Sequence, residues 1–234
     1  MNDVAAEDIP PMWPNGSDGD YIAARIKLAR AERRLRDQVE EVAAARRAMP
    51  AGKPIADYTL ATGPRDLSES GPSRTVSLRE LFGEKDTLFV YHLMFHPDEA
   101  GACPMCSMWV DGFRGVLPHL EQNAAVAVVA KAPLPRLRLW GRRRGWDGLQ
   151  LVSSYGTTFN HDMNAELEDG SQRPMASVYV ADGPAVRHFY TLPASFIDNT
   201  ERGIDLLSPV WNVLDLLPRG RGEWYAQNSY VMDS

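Results

Sequence analysis

Two cysteines, five histidines and no surplus of positive charge set the first limits on this chain of 234 residues. At a net charge of −6 it lacks the basic face that phosphate backbones attract, so nucleic acid is not an expected partner. No stretch approaches the ~18 consecutive apolar residues of a spanning helix, so no membrane partner is expected either. The N-terminal MNDVAAEDIPPMWPNG is acidic and lacks the basic start and apolar centre of a secretory signal, which points to the cytoplasm. Thiols stay reduced there, and closing a four-residue loop gains little stability, so the cysteines read poorly as a structural staple. A close pair in that compartment is redox-active or metal-binding.

What is present is concentrated in residues 88–120, LFVYHLMFHPDEAGACPMCSMWVDGFRGVLPHL. Residues 88–95 are an apolar, aromatic run of buried-strand length, and residues 96–102 form a Pro/Asp/Glu/Gly loop. Cys103-Pro104-Met105-Cys106 follows. Trp109, Phe113, Val116, Leu117 and Leu120 then recur at three-to-four spacing, one face of a helix. The pair falls where that helix begins, and Pro104 suits its first turn, where a missing N–H costs nothing. Unpaired N–H groups and the positive end of the helix dipole face the first sulfur and favour its thiolate. Cys103 is therefore the expected nucleophile, and Cys106, one turn further on, the resolving thiol. Asp98 and Glu99 lie just upstream with no Lys or Arg beside the pair, and they oppose the thiolate. Pro118, inside the helix, should kink it.

The rest of the chain frames this unit. Residues 1–20 read as a loose arm, with Asp18 or Asp20 capping the next element. Residues 21–49 contain no Pro or Gly and predict a long helix, which Pro50 ends. Tyr21, Leu28, Leu35, Val42 and Met49 repeat every seven residues, with Ala24, Ala31, Gln38 and Ala45 three positions on. That seam suits packing on its own chain or on the same helix of a second subunit in a homodimer. A strand at 58–61, a flexible Ser/Gly/Pro stretch at 67–73 and a short helix beginning after Thr75, with Ser77 and Glu80 as a capping box, lead to Leu88. After the cysteine helix come a strand at 124–131 and a helix at 134–144, with Arg136, Arg138, Arg142, Arg143 and Arg144 outward and Gly145 as its stop. Strands at 149–153, 175–180 and 186–191 follow, with irregular residues 157–163 between the first two and an Asp182-Gly183 turn between the last two. A helix over 204–216 and an irregular Arg/Gly/Trp-rich tail end the chain. This alternation is a three-layer α/β arrangement.

On these residues the chain resembles the thioredoxin superfamily: a strand, a loop, Cys103-Pro104-Met105-Cys106 opening a kinked helix, and Pro174 before a terminal β-hairpin. Over about residues 21–215 it is more closely similar to a bacterial thioredoxin-like family catalogued as a domain of unknown function, whose members are labelled predicted dithiol–disulfide oxidoreductases. The stretches that carry this are YHLMFHPD, GACPMCSMWVDGF, LPHL, RRRGW, FNHDM, SVYVADG and RGIDLL. The resemblance implies a thioredoxin-like three-layer sandwich with a mixed central sheet over residues 51–218, after an arm and helix at 1–50 and before a tail at 219–234. It also implies that Pro174 is a cis-proline facing the cysteines and that Pro104, Met105, Trp109 and Pro174 contact substrate. Arg173 and the polar run before it keep a trans proline open.

Other chemistries need other partners. A Cys₂His₂ zinc site would add His92 and His96, but a second, tightly spaced ligand pair is missing. Copper delivery would call on His161 or His188 and a wider cysteine spacing. A peroxidase would need a lone cysteine beside a Thr and an Arg, which nothing upstream of Cys103 supplies. His119 is a candidate proton acceptor for Cys106. Asn160 and Asp162 could close over the cysteines, with the carboxylate taking a proton, or simply bond their own loop. Trp109, Phe113 and Phe159 also suit the core. Arg142 to Arg144 could hold an anion or form a solvated face. The expected activity is thiol–disulfide exchange, without a cofactor, on a disulfide-containing protein or small thiol. The alternative is a thioredoxin-fold binding module for a protein or metal, without redox turnover.

Overall fold

The computed structural model describes residues 9–69, 71–195 and 202–230, and the chain divides into two compact units between Pro50 and Ala51. Parts of three expected segments lie outside the described residues: 1–8 of the arm, 70 of the flexible stretch and 231–234 of the tail. The first unit is built on α1 (Gly19–Arg47). Its cap is Asp18, whose carboxylate accepts the Tyr21 N–H at 2.8 Å, while Arg46 and Arg47 meet the negative end of the dipole.

In the second unit, strands β1 (Pro54–Ile55), β2 (Thr59–Thr62), β3 (Arg74–Ser77), β4 (Thr87–Leu93), β5 (Ala125–Ala130), β6 (Gln150–Ser153), β7 (Met175–Asp182) and β8 (Ala185–Pro193) form one sheet. Their order is β1-β8-β7-β4-β5-β6-β2-β3. The centre, β4–β5–β6, is parallel, because α2 (Pro104–Leu120) and α3 (Leu134–Arg144) are the crossovers between its strands. The flanking pairs are antiparallel. Two short helices complete the unit, α4 (Phe159–Asp162) and α5 (Pro209–Leu214).

Strand alternation makes two cores. Phe89, Tyr91 and Leu93 of β4 face α2 and α3, while Leu88 and Val90 face Phe82 and Phe159 on the other side. The cysteines belong to the first core, and the sheet separates them from the second. Among the described residues no helix is long and apolar enough to cross a membrane.

Several local expectations are corrected. Residues 74–77 are a strand, and the helix after them shrinks to a 3₁₀ turn at Glu80–Phe82. The capping box nonetheless forms: Glu80 N–H donates to Ser77 Oγ at 3.1 Å, and Ser77 N–H to Glu80 Oε2 at 2.6 Å. The helix at 204–216 is broken into a 3₁₀ turn (Asp205–Leu207) and α5, because Pro209 suits only a first turn and Ser208 caps the new start. Residues 159–162 are helical rather than irregular. α2 contains Pro118 and ends at Leu120 as expected, but Val116 falls outside its buried stripe.

The arginines of α3 are only partly a solvated face: Arg142 and Arg143 are exposed, while Arg136, Arg138 and Arg144 turn back onto the chain. Arg138 is buried and donates to the carbonyls of Pro64, Asp66 and Glu69. Arg142 donates to Leu67 O at 3.2 Å, Arg136 to Pro97 O, and Arg144 pairs with Asp111. Loop carbonyls outside the sheet need donors, and these side chains supply them.

Candidate active site

The first turn of α2 is built around the two thiols. Cys103 is the N-cap residue, its carbonyl accepting Ser107 N–H at 2.9 Å and its own N–H donating to Met94 O at 3.0 Å. The loop between β4 and α2 closes tightly. A Cβ on Gly101 would stand 2.5 Å from the Trp140 ring, so glycine is required there. Both cysteines are free thiols, Cys103 half-buried and Cys106 only 1% exposed.

Their protonation is unequal. The Cys103 thiol is lowered to about 6, first by the hydrogen bond from the Cys106 thiol and then by the N–H groups of Cys106 and Met105. Burial and the Glu99 carboxylate act the other way. Asp98, with a side chain 91% exposed, plays no part in this balance. Cys106 is pushed well up because it donates to Cys103, is buried, and feels the Cys103 charge.

Tyr91 of β4 completes the arrangement. Its hydroxyl is buried without a nitrogen or oxygen partner and faces Cys106, where it favours the thiolate form. Sequence reasoning passed over it. The available signal was alternation: counting from Leu93, Tyr91 falls on the strand face that meets α2.

A cleft of about 470 Å³ opens onto both cysteines. Of the expected substrate contacts, Met105, Trp109 and Pro174 line it, and Met94 joins them. Pro104 stays at the helix start, outside the wall. The indole of Trp109 donates to Ile204 O at 3.1 Å, so it serves the core and the cleft together. Pro174 faces the cysteines, but not in cis: no described peptide bond is cis. Arg173 N–H donates to Ala165 O at 2.9 Å, and Pro174 O accepts Ala194 N–H at 3.1 Å. These bonds hold the chain extended as it enters β7.

The remaining wall was missed in the sequence. It comes from Trp211 of α5 and from residues 221–225 of the tail, and Trp211 and Trp224 meet edge to face at 5.5 Å. Beside them Arg202 and Arg221 each bind both Asp205 and Asp215, at 2.6–2.9 Å. The signal was the density of Trp, Tyr and Arg in a tail otherwise rich in glycine.

Other candidates are not brought here. His119 is exposed near the far end of α2, 13 residues and about 20 Å of helix beyond Cys106. Asn160 is buried and accepts from Ser154 Oγ at 2.5 Å, and it does not line the cleft. Asp162 accepts from Tyr58 and Thr158, at 2.8 and 2.6 Å. The FNHDM patch therefore does not close over the cysteines, because the sheet lies between them and Phe159. His92 stacks on that same Phe159 and bonds Ser177 Oγ at 3.0 Å, so it cannot join Cys103, Cys106 and His96 around one metal. Neither His161 nor His188 lines the cleft, and Arg142 and Arg144 are occupied as described.

The fold is that of known structures. The reduced 2-Cys peroxiredoxin of Plasmodium vivax is similar with a TM-score of 0.50 at 12% identity, over 72% of this chain and 98% of that one. Enterococcus faecalis AhpC is similar at 0.49 and 10% identity, over 67% of this chain and 87% of that one. A mutant of Xanthomonas campestris peroxiredoxin Q is similar at 0.46 and 14% identity, over 68% and 95%. The first of these likenesses shows the thioredoxin-like α/β fold and nothing of the chemistry. No curated protein matches the sequence. Over residues 12–233 it matches the family described as bacterial protein of unknown function (DUF899), and the chain belongs to that family.

Proposed function

We propose that this protein is a thiol–disulfide oxidoreductase in which Cys103 attacks and Cys106 resolves. The observation that carries the reading is the placement of the pair: Cys103 half-buried at the N-cap of α2 and open to the cleft, Cys106 1% exposed one turn on. In this arrangement the hydrogen bond from Cys106 holds the first thiol low and the second up. At neutral pH the first is a thiolate and the second keeps its proton.

The Cys103 thiolate attacks one sulfur of a disulfide R–S–S–R′, forming Cys103–S–S–R and expelling R′S⁻. Cys103 then carries no charge and no longer accepts from Cys106. Two of the three influences that raised Cys106 vanish, leaving burial opposed by the Tyr91 hydroxyl. Cys106 gives its proton to R′S⁻, attacks the Cys103 sulfur and releases RS⁻, which takes a proton from water. The substrate gains two electrons and the protein keeps a Cys103–Cys106 disulfide. A second thiol compound returns it to the dithiol, so the cycle calls for no bound cofactor. Disulfide-bearing proteins and small thiols both remain substrates in this scheme.

The test is equilibration with a glutathione redox series, quenched by alkylation and read by mass. The expected result is a reversible two-electron transition between about −270 and −120 mV, with Cys103→Ser protein unable to reduce a disulfide. A pair that never forms a disulfide, or never gives it up, leaves only the binding-module reading.

A further inference from the structure

The cleft above Cys103 has a size, a lining and a charge, and together they name a substrate class. Its volume of about 470 Å³ falls within the ~300–1,000 Å³ of small-molecule sites. Cys103 lies in the wall rather than on a crest, so a disulfide must enter to be reached. Trp109, Trp211 and Trp224 supply ring surface, with Met94 and Met105 as adaptable apolar filling. The wall is tied in place: Asn228 Nδ2 donates to Ala102 O at 2.9 Å, next to Cys103, and Tyr230 donates to Asp111 of α2 at 3.0 Å.

Charge is the deciding feature. The lining cations Arg202 and Arg221 are both engaged by Asp205 and Asp215, two positive against two negative. Arg221 also sits over the Trp211 ring, its Cζ 4.6 Å from the centre, which limits its freedom further. Among the described residues the charged groups of the lining, Arg202, Arg221, Asp205 and Glu223, balance, and Asp215 behind the arginines with Glu99 beside Cys103 tip the surroundings of the cleft negative. A carboxylate-bearing thiol meets repulsion there and finds its two candidate cations already paired.

Building on the oxidoreductase reading, we infer that this cleft selects small disulfides whose sulfur carries an uncharged, aromatic-sized substituent, over anionic thiols of the glutathione kind and over folded-protein disulfides.

Methanethiosulfonate reagents test this, because they share one leaving group. The Cys103 thiolate attacks the sulfenyl sulfur, a Cys103–S–S–R bond forms and methanesulfinate departs. Rates are read by intact mass in Cys106→Ser protein, which cannot resolve the product, and are divided by the rates with N-acetylcysteine. The benzyl reagent should exceed the methyl reagent by about tenfold or more after this division, the scale on which an apolar pocket discriminates. The anionic sulfonatoethyl reagent should fall about tenfold below methyl and recover in high salt. Trp224→Ala should remove most of the benzyl preference. Glu223→Gln, a change at an exposed position of the wall, should raise the anionic-to-methyl rate ratio several-fold. A benzyl-to-methyl ratio equal to that of the free thiol, or an anionic reagent that reacts fastest, overturns the inference. Modification needs only a thiolate, so this outcome stands apart from the redox titration that tests the oxidoreductase reading.

Discussion

Tyr91 shows how much rests on single atoms. A buried hydroxyl with no nitrogen or oxygen partner costs about 1–3 kcal/mol, so one kept against the weakly accepting Cys106 sulfur invites a role in the step that makes Cys106 a thiolate. Tyr91→Phe should leave the reduced fold as stable or slightly more so. It should slow resolution by about tenfold, the scale of one hydrogen bond to a charged sulfur. Acid-quenched mass spectra during turnover would show the Cys103 mixed disulfide accumulating; an unchanged lifetime removes Tyr91 from the mechanism. A second residue-scale prediction concerns pH. His92, Ser177, Thr191 and His188 form a hydrogen-bonded chain with steps of 3.0, 2.9 and 2.7 Å. Burial first, and the charge of His188 second, lower His92 to about 3. Its unfolded form binds a proton near pH 6.5 that the folded form refuses. Stability is therefore full above that pH and falls by about 1.4 kcal/mol per unit below it, down to about pH 3. Urea unfolding at pH 7 and pH 5 should show this slope, and His92→Phe should flatten it. The cysteines were legible because a C-x-x-C before a periodic apolar run marks a helix start. Tyr91 and His92 were not, because a strand pattern shows that neighbours point apart without showing what each one meets.

Asp111 is where elements are joined. From α2 it accepts the Trp146 indole N–H at 2.7 Å, pairs with Arg144 of α3, and accepts the Tyr230 hydroxyl of the tail at 3.0 Å. The Arg144 side chain is only 5% exposed and would keep only Asn228 O and the Tyr230 ring, so Asp111→Ala should cost about 3 kcal/mol. Denaturant unfolding would read that loss, and limited proteolysis should find the tail newly cleavable. A loss below 1 kcal/mol would mean that α3 and the tail are held by other contacts. Such junctions explain what was legible between elements. β4–α2–β5–α3 could be read because each piece is a run of six residues or more with one period, and the four-residue β6 because Asp147-Gly148 and Gly156 bound it. β1 is two residues and β3 four, too short for a period to show, and both gain their identity from the strand beside them. The arginines of α3 looked like surface for a related reason. The partners of Arg136, Arg138 and Arg142 are backbone carbonyls of distant loops, and carbonyls leave no mark in a sequence.

At the scale of the whole molecule, α1 carries an apolar seven-residue pattern that its own unit does not bury. Tyr21, Leu28, Leu35, Val42 and Met49, seven residues apart, are 38–65% exposed, and α1 has no buried residue. A helix of 29 residues with such a stripe does not draw its stability from a buried face. Its local supports, the Asp18 cap and the closing Arg46 and Arg47, are worth only about 1 kcal/mol each. The missing contribution has a natural source. A seven-residue repeat is complementary to itself, and alanines at positions 24, 31 and 45 let two backbones approach closely. The expected state is a homodimer paired through α1, so light scattering at micromolar concentration should return twice the mass of one chain. Leu35→Lys places a charge at the most exposed seam position and should return the monomer mass with loss of helical circular dichroism. The Cys103–Cys106 potential should stay unchanged, because both thiols and their cleft belong to the other unit. A wild-type protein that runs as a monomer with α1 fully helical would show that the stripe needs no second copy, and would return it to a partner of a different kind.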